Sequence, residues 1–193
     1  MIAVIPARGG SRRIPKKNIK KFHDIPIIAY SIEAAEKSGL FDRIIVSTDD
    51  TSIANVARRY GAEIHVRPKA LADNNIGTQE VAQDVLKTVS ADPDYSCVIY
   101  ATSPLLAVED LRRGLDLLKS NRSLSYAYST DELGSDAGCF YWGKTWSFIC
   151  GDPLHENSIN VPISEDRVCD INTFDDWNRA LEMHKKLGGN HGS

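Results

Sequence analysis

The chain reads as an α/β protein with a mostly parallel sheet covered by helices on both faces. Three observations predict this. Short apolar or β-branched runs alternate with segments of helical period four times between Ile2 and Ser120. The connections are short, so successive strands return in parallel through the intervening helices. No composition shift, internal repeat or low-complexity tract interrupts the pattern, so residues 1–187 read as one domain, with 188–193 as a tail. At 193 residues, 42% hydrophobic and 25% charged, the chain can bury a substantial core without metal or disulfide staples.

Each element has its own signal. Ile2 to Pro6 is a buried strand that runs into Ala7-Arg8-Gly9-Gly10, a loop. Pro26 suits the first turn of a helix in which Ile27, Ile28, Ile32 and Ala35 recur at helical spacing, and Gly39 stops it. Arg43 to Ser47 is a second strand. Thr48 or Asp49 is the expected cap of a helix from about Asp50 to Tyr60, closed by Gly61. Ala62 to Val66 is a third strand, Thr78 to Val89 a helix, Ser96 to Tyr100 a fourth strand and Val108 to Ser120 a helix. Beyond it, Leu124 to Tyr128 and Cys139 to Trp142 read as strands, irregular segments follow, and Phe174 to Leu187 forms a last helix.

Composition excludes several classes of function. A net charge of −3 argues against wrapping nucleic acid, and no apolar run approaches the roughly 18 to 20 residues that span a bilayer. Met1 to Pro6 lacks the basic leader and long apolar region of a signal peptide, so the expected compartment is the cytoplasm. Cys97, Cys139, Cys150 and Cys169 form no CxxC pair and read as buried free thiols. The five histidines sit in no nucleophile or metal motif and read as surface or loop residues.

Charge is concentrated in one place. From Arg8 to Lys21 the chain carries seven cationic side chains and no acid, whereas the remaining 16 Lys and Arg face all 26 Asp and Glu. A solvated surface mixes signs. An acid-free cationic loop at the carboxyl edge of a parallel sheet suits a polyanion such as a triphosphate. Gly9 and Gly10 would let backbone N–H groups approach phosphate, and Arg8, Arg12 and Lys17 would compensate charge. The spacing is neither GxxxxGK[ST] nor GxGxxG, which disfavours P-loop and dinucleotide readings, and a plain basic surface loop is the bland alternative.

The string Ile5-Pro6-Ala7-Arg8-Gly9-Gly10-Ser11-Arg12-Arg13-Ile14-Pro15-Lys16-Lys17-Asn18 closely resembles the opening of the acylneuraminate cytidylyltransferases, the CMP-sugar-acid synthetases. The resemblance continues through Ile28-Ala29-Tyr30-Ser31-Ile32, Val46-Ser47-Thr48-Asp49-Asp50, Arg67-Pro68, Leu71-Ala72-Asp73, Gly77-Thr78 and Tyr100-Ala101-Thr102-Ser103-Pro104, nearly to Leu187. Arg12-Arg13-Ile14-Pro15, Tyr100 where sialic-acid enzymes place glutamine, and Phe140-Tyr141-Trp142-Gly143-Lys144 are most similar to the pseudaminic acid branch.

The resemblance implies a Rossmann-like nucleotidyltransferase fold and transfer of CMP from CTP to the anomeric hydroxyl of a nonulosonic acid, with release of pyrophosphate. It gives Arg8 and Lys17 the role of stabilising the departing pyrophosphate, and places Ala7, Gly9, Gly10, Ser11, Arg12 and Asn18 against nucleotide. Arg67 and Thr78 match the cytidine and ribose side; helix-flanking and capping roles are their structural alternatives. Tyr100, Thr102 and Ser103, at the end of the fourth strand, would approach the sugar acid. In Val46 to Asp50, capping of the next helix competes with ligand contact.

Asp170-Ile171-Asn172 is similar to the family's Mg2+-binding Asp-Ile-Asp segment, with Asn172 removing one negative charge and Asn172 or Thr173 also able to cap the last helix. Between Tyr128 and Gly138 only nine residues stand where the family carries a longer excursion that packs on a partner subunit and covers the sugar. Shortened near 129–137, it leaves a homodimer and substrate closure without their usual element. The aromatic-rich stretch from Gly138 to Phe148 reads chiefly as core. Two rivals stay open: transfer to another sugar acid (sialic, legionaminic or octulosonic), and a CTP-binding homologue impaired in catalysis.

Overall fold

The computed structural model describes residues 1–73, 75–89 and 93–188. Of the expected tail only Gly188 lies within the described residues. The first strand, β1 (Ile2–Pro6), feeds the cationic loop, which closes with a 3-10 turn at Lys17–Ile19 and a minimal hairpin of β2 (Lys21–Phe22) and β3 (Ile25–Pro26). Helix α1 (Ile27–Ser38) follows and stops at Gly39, whose φ of 65° is a left-handed conformation that suits glycine. Strand β4 (Arg43–Thr48), helix α2 (Thr51–Arg59), strand β5 (Glu63–Val66), helix α3 (Thr78–Thr88), strand β6 (Tyr95–Ile99) and helix α4 (Val108–Ser120) complete the expected alternation.

The second half departs from expectation in two elements. Strands β7 (Tyr126–Thr130) and β8 (Asp136–Lys144) form an antiparallel hairpin, and β8 leads directly into a six-residue helix, α5 (Thr145–Cys150), and later a strand, β9 (Ser158–Pro162). These two replace the irregular segments expected before the last helix, α6 (Phe174–Lys186). Helix α5 is one and a half turns of mixed aromatic and β-branched residues, too short for a period to register. The signal for β9 was present in Ile159 and Val161, and its terminal Pro162 is tolerated because β9 is an edge strand.

The sheet order is β5-β4-β1-β6-β8-β7-β9. Only β8 runs against the others, so the sheet is mostly parallel. Period-two alternation along the central strand explains why helices must cover both faces: Ala3 and Ile5 enter one apolar cluster with residues of α1, α2 and α4, while Ile2 and Val4 enter another with Val81, Val85 and Phe148 from α3 and α5. A third, smaller cluster joins Ile14 of the loop to Phe22, Ile27, Tyr30, Ile171, Trp177 and Ala180. It anchors the cationic loop and folds the end of the chain back onto it. No described helix is long and apolar enough to cross a membrane.

The β7–β8 hairpin turns tightly over Asp131–Ser135. Asp131 Oδ1 accepts the N–H groups of Leu133 and Ser135, and Gly134 supplies the positive φ of 88°. A register shift between Tyr128 and Thr130 is stabilised by Ser129 Oγ, which accepts from Cys139 N and Phe140 N, both at 3.1 Å. Four of the five aromatics in this stretch, Phe140, Tyr141, Trp142 and Phe148, are core residues; Trp146 is 68% exposed because it lies on the outer side of α5. Cys97 and Cys139 are buried as expected, but Cys150 is exposed and Cys169 only partly covered. His65 and His184 are buried, contrary to a surface assignment, because each is enclosed between packed elements.

Candidate active site

Residues from five segments converge on a cleft of about 480 Å3 at the carboxyl edge of β1 and β6. Arg8, Ser11, Arg12, Lys17, Asn18, Arg67, Thr78, Tyr100, Thr102 and Asn172, all singled out from sequence, line it. Arg13 adds a fifth cation, and no carboxylate is among the described lining residues. Arg13 was legible in the loop's composition; only its position in the cleft was not.

The loop is held rigidly, and several of its expected donors are already engaged. Ala7 N donates to Ser47 O, extending the β1–β4 ladder by one bond. Gly9 N donates to Asp49 Oδ1 at 2.9 Å, so Asp49 braces the loop instead of capping α2. Asp50 is the cap, its Oδ1 accepting from Ser52 N and Ile53 N. A Cβ on Gly9 would come within 2.8 Å of Asp50 Cβ, so close passage over the end of β4 is what requires glycine there. Gly10 is exposed and open on all sides, and Ala7, Gly9 and Gly10 do not line the cleft. Asn18 Nδ2 donates to Arg8 O at 2.9 Å and thereby sets the start of the loop relative to its end.

Lys17 links the loop to the end of the chain. Its Nζ donates to Ile171 O at 2.6 Å. Burial pushes the Lys17 ammonium below its usual pKa; the Asp170 carboxylate opposes this, and the Arg13 and Arg8 cations reinforce it. Beside it, Arg13 Nη2 donates to Asn172 Oδ1 at 2.8 Å, and Asn172 Nδ2 donates to Asp170. Thr173, not Asn172, caps α6: Thr173 Oγ1 accepts from Asp176 N, and Asp176 Oδ2 accepts from the backbone N–H groups of Thr173 and Asn172. Asp170 is exposed and stands next to the cleft, not in its lining.

On the opposite wall, Arg67 is buried, with Nη2 donating to Ser47 O at 2.7 Å. Burial pushes its guanidinium down, against the attraction of Asp49. Gly77 and Thr78 bring the N-terminus of α3 to the cleft, where its unpaired N–H groups favour an anion. On this side of the cleft, burial raises the phenol pKa of Tyr100. Ser103 is buried outside the lining.

Sequence reasoning missed what adjoins Tyr100. The rings of Tyr100 and Tyr141 lie 5.9 Å apart, Tyr128 stacks on Tyr141, and His155 meets the Tyr128 ring edge-on at 4.9 Å. Tyr141 Oη donates to Asp136. Tyr128 lies on β7 and Tyr141 on β8, and only the antiparallel register Tyr128↔Tyr141 sets these two side by side.

Comparison with known proteins agrees with this geometry. The model of a family described as cytidylyltransferase matches residues 2–139. Pseudaminic acid cytidylyltransferase of Campylobacter jejuni is 32% identical, over 95% of this chain and 96% of that protein. The alignment runs over 222 positions, longer than the 193-residue chain, so that relative carries segments absent here. Among solved structures, a CMP:2-keto-3-deoxy-manno-octonic acid synthetase complexed with CTP superposes with a TM-score of 0.78 at 14% identity, covering 96% of this chain and 98% of that one. A Mycobacterium tuberculosis protein complexed with manganese gives 0.67 at 15%, covering 94% and 98%. At such identities the structural likeness speaks to the fold; the family match and the Campylobacter relative establish that the chain belongs to the cytidylyltransferase family.

Proposed function

We propose that the protein transfers CMP from CTP to the anomeric hydroxyl of a nonulosonic acid, most closely pseudaminic acid, in the cytoplasm. The observation that carries the reading is the cleft with five cations and no carboxylate among its described lining residues, at the carboxyl edge of the sheet in a chain of the cytidylyltransferase family. In that reaction the anomeric oxygen bonds to the α-phosphorus, the bond from the α-phosphorus to the bridging oxygen breaks, and pyrophosphate leaves with the bonding pair. The hydroxyl proton is released. Such a transfer asks for alignment and charge compensation more than for a covalent protein intermediate.

Arg8 and Lys17 are assigned to the departing pyrophosphate, with Arg12 and Ser11 holding the phosphates. The lowered pKa of Lys17 leaves an ammonium poorly solvated by water and therefore strongly attracted to an incoming anion. Arg67, Thr78 and Asn18 are assigned to the nucleoside side. Tyr100 and Thr102 would meet the acceptor, with Tyr141, Tyr128 and His155 extending the wall on that side. Ser103, buried outside the lining, is assigned to support this wall from beneath.

A divalent cation, Mg2+ by preference, is assigned to Asp170 and Asn172. No group of three His, Cys, Asp or Glu among the described residues forms a dedicated cage. Asp170 is an exposed carboxylate whose neighbour Asn172 turns its amide nitrogen to it and its oxygen to Arg13, so the pair fits instead a cation that arrives with the triphosphate, completes its shell from phosphate and water, and takes the Asn172 oxygen only once the amide has turned. Bound there, the cation would supply charge neutralisation on the phosphates. A CTP-binding protein without transfer is the second reading, favoured by Arg13 already occupying Asn172 Oδ1. A screen of pseudaminic, sialic, legionaminic and octulosonic acids for CTP-dependent pyrophosphate release, with Mg2+ titrated, separates the two. Release with pseudaminic acid is expected; CTP binding without release for any acceptor at any Mg2+ concentration would overturn transfer.

A further inference from the structure

Behind Arg67 lies a chain of buried polar groups that the proposed roles do not use. In the parallel register Ser47 of β4 sits opposite His65 of β5, and period-two alternation puts Arg67, two residues on, on the same face. His65 Nδ1 lies 3.1 Å from Ser47 Oγ, and Arg67 Nε lies 3.3 Å from that same oxygen. On the other side of the ring, His65 Nε2 lies 3.3 Å from Asp84 Oδ2, brought down by α3. All three of Ser47, His65 and Arg67 are buried, Ser47 completely. The order Asp-His-Ser resembles a nucleophile triad, but a serine with no accessible surface cannot meet a substrate.

Proton bookkeeping fixes the state of the chain. An ionised carboxylate only accepts, so the Asp84 oxygen 3.3 Å from Nε2 places the proton of the neutral ring on that nitrogen and leaves Nδ1 bare. Arg67 has only donors, so Ser47 Oγ accepts from Nε of Arg67 and donates its own proton to Nδ1 of His65. We propose that His65, in this single tautomer, is a positioning residue for Arg67: through Ser47 it holds the guanidinium at the nucleotide wall of the cleft. This rests on the reading of the cleft as a CTP site. Protonation of Nδ1 would turn that nitrogen into a second donor toward Ser47 and place an imidazolium next to Arg67.

The charged groups around His65 are Asp84 of α3 and Arg67, with Asp49 and Arg8 beyond the guanidinium. Burial, the largest influence, and the Arg67 cation keep the imidazole below its usual pKa of 6.5, while Asp84 pulls the other way. His65 is thus neutral at pH 7, and the arrangement is lost on the acid side of the ordinary histidine range.

The test is calorimetry of CTP binding between pH 5 and 8 on folded wild type, His65→Asn, His65→Leu, Arg67→Ala and the His65→Leu/Arg67→Ala double variant. Ring-nitrogen NMR of wild-type His65 accompanies it. Asparagine keeps an acceptor near the Nδ1 position without a titration. Expected are a bare Nδ1 at pH 7, about tenfold weaker CTP binding for His65→Leu, near wild-type binding for His65→Asn, and a double variant no weaker than Arg67→Ala alone. Wild type should lose affinity at acid pH beyond His65→Asn, a comparison that subtracts the nucleotide's own titration. A protonated Nδ1 at pH 7, additive losses in the double variant, or matching pH profiles would overturn the relay. Wild type that binds no CTP at any pH would overturn the nucleotide reading and the relay together, whereas tight binding by His65→Leu would remove the relay alone.

Discussion

Single residues in the loop carry two duties, and separating them is what mutation can do. Lys17 both holds the chain end, through Ile171 O, and presents a partly desolvated charge to the cleft. If the charge dominates, Lys17→Ala should lower turnover by about a hundredfold in a pyrophosphate-release assay while the thermal midpoint moves only slightly. Unchanged turnover in a folded variant would reject the role. The loop's purpose was legible in sequence because seven cations without one acid repel each other until an anion joins them. The reason for Gly9 was not. It depends on the Asp50 side chain forty-one positions away, and composition says nothing about which distant side chain would lie within 3 Å of an added Cβ.

Elements position these residues, and the caps of α2 and α6 decide much of the local geometry. The capping box of α6 fixes Asn172 as well as the helix, since Asp176 Oδ2 receives the Asn172 and Thr173 N–H groups together. Thr173→Ala should cost about 1 kcal/mol in urea unfolding at neutral pH. Hydrogen bonds from the Thr173 hydroxyl and the Asn172 and Thr173 N–H groups hold Asp176 below its usual pKa of 3.8. A depressed carboxylate contributes stability that is complete above its unfolded value and is lost as pH falls through its folded one. The difference between wild type and Thr173→Ala should therefore narrow below about pH 4; equal stability at pH 7 would contradict the cap. Helix boundaries with caps and stops, such as Gly39, Gly61 and Ser120, were readable to within a residue or two. The cap of α2 was misplaced because Thr48, Asp49 and Asp50 are all capable, and only the bond from Gly9 to Asp49 selects Asp50.

For the whole molecule, topology explains why the cleft is where it is. Four parallel strands end at one edge, and the cluster of Ile14, Phe22, Ile171 and Trp177 returns the last helix to the first loop. Helical period told that α6 had an apolar face; it could not tell that the loop's own Ile14 would cover it. Likewise Tyr128 and Tyr141 were visible as residues, but their stacking beside Tyr100 follows from an antiparallel register set by a turn of Asp131 and Gly134. The hairpin turns within Asp131–Ser135, and the alignment with the Campylobacter relative is longer than this chain. The central claim is that the first loop grips a pyrimidine triphosphate. Titrating CTP and ATP into the folded protein by calorimetry, with and without Mg2+, tests it most directly: CTP should bind with micromolar affinity and ATP at least about tenfold more weakly, and an absence of heat with CTP under both conditions would contradict it.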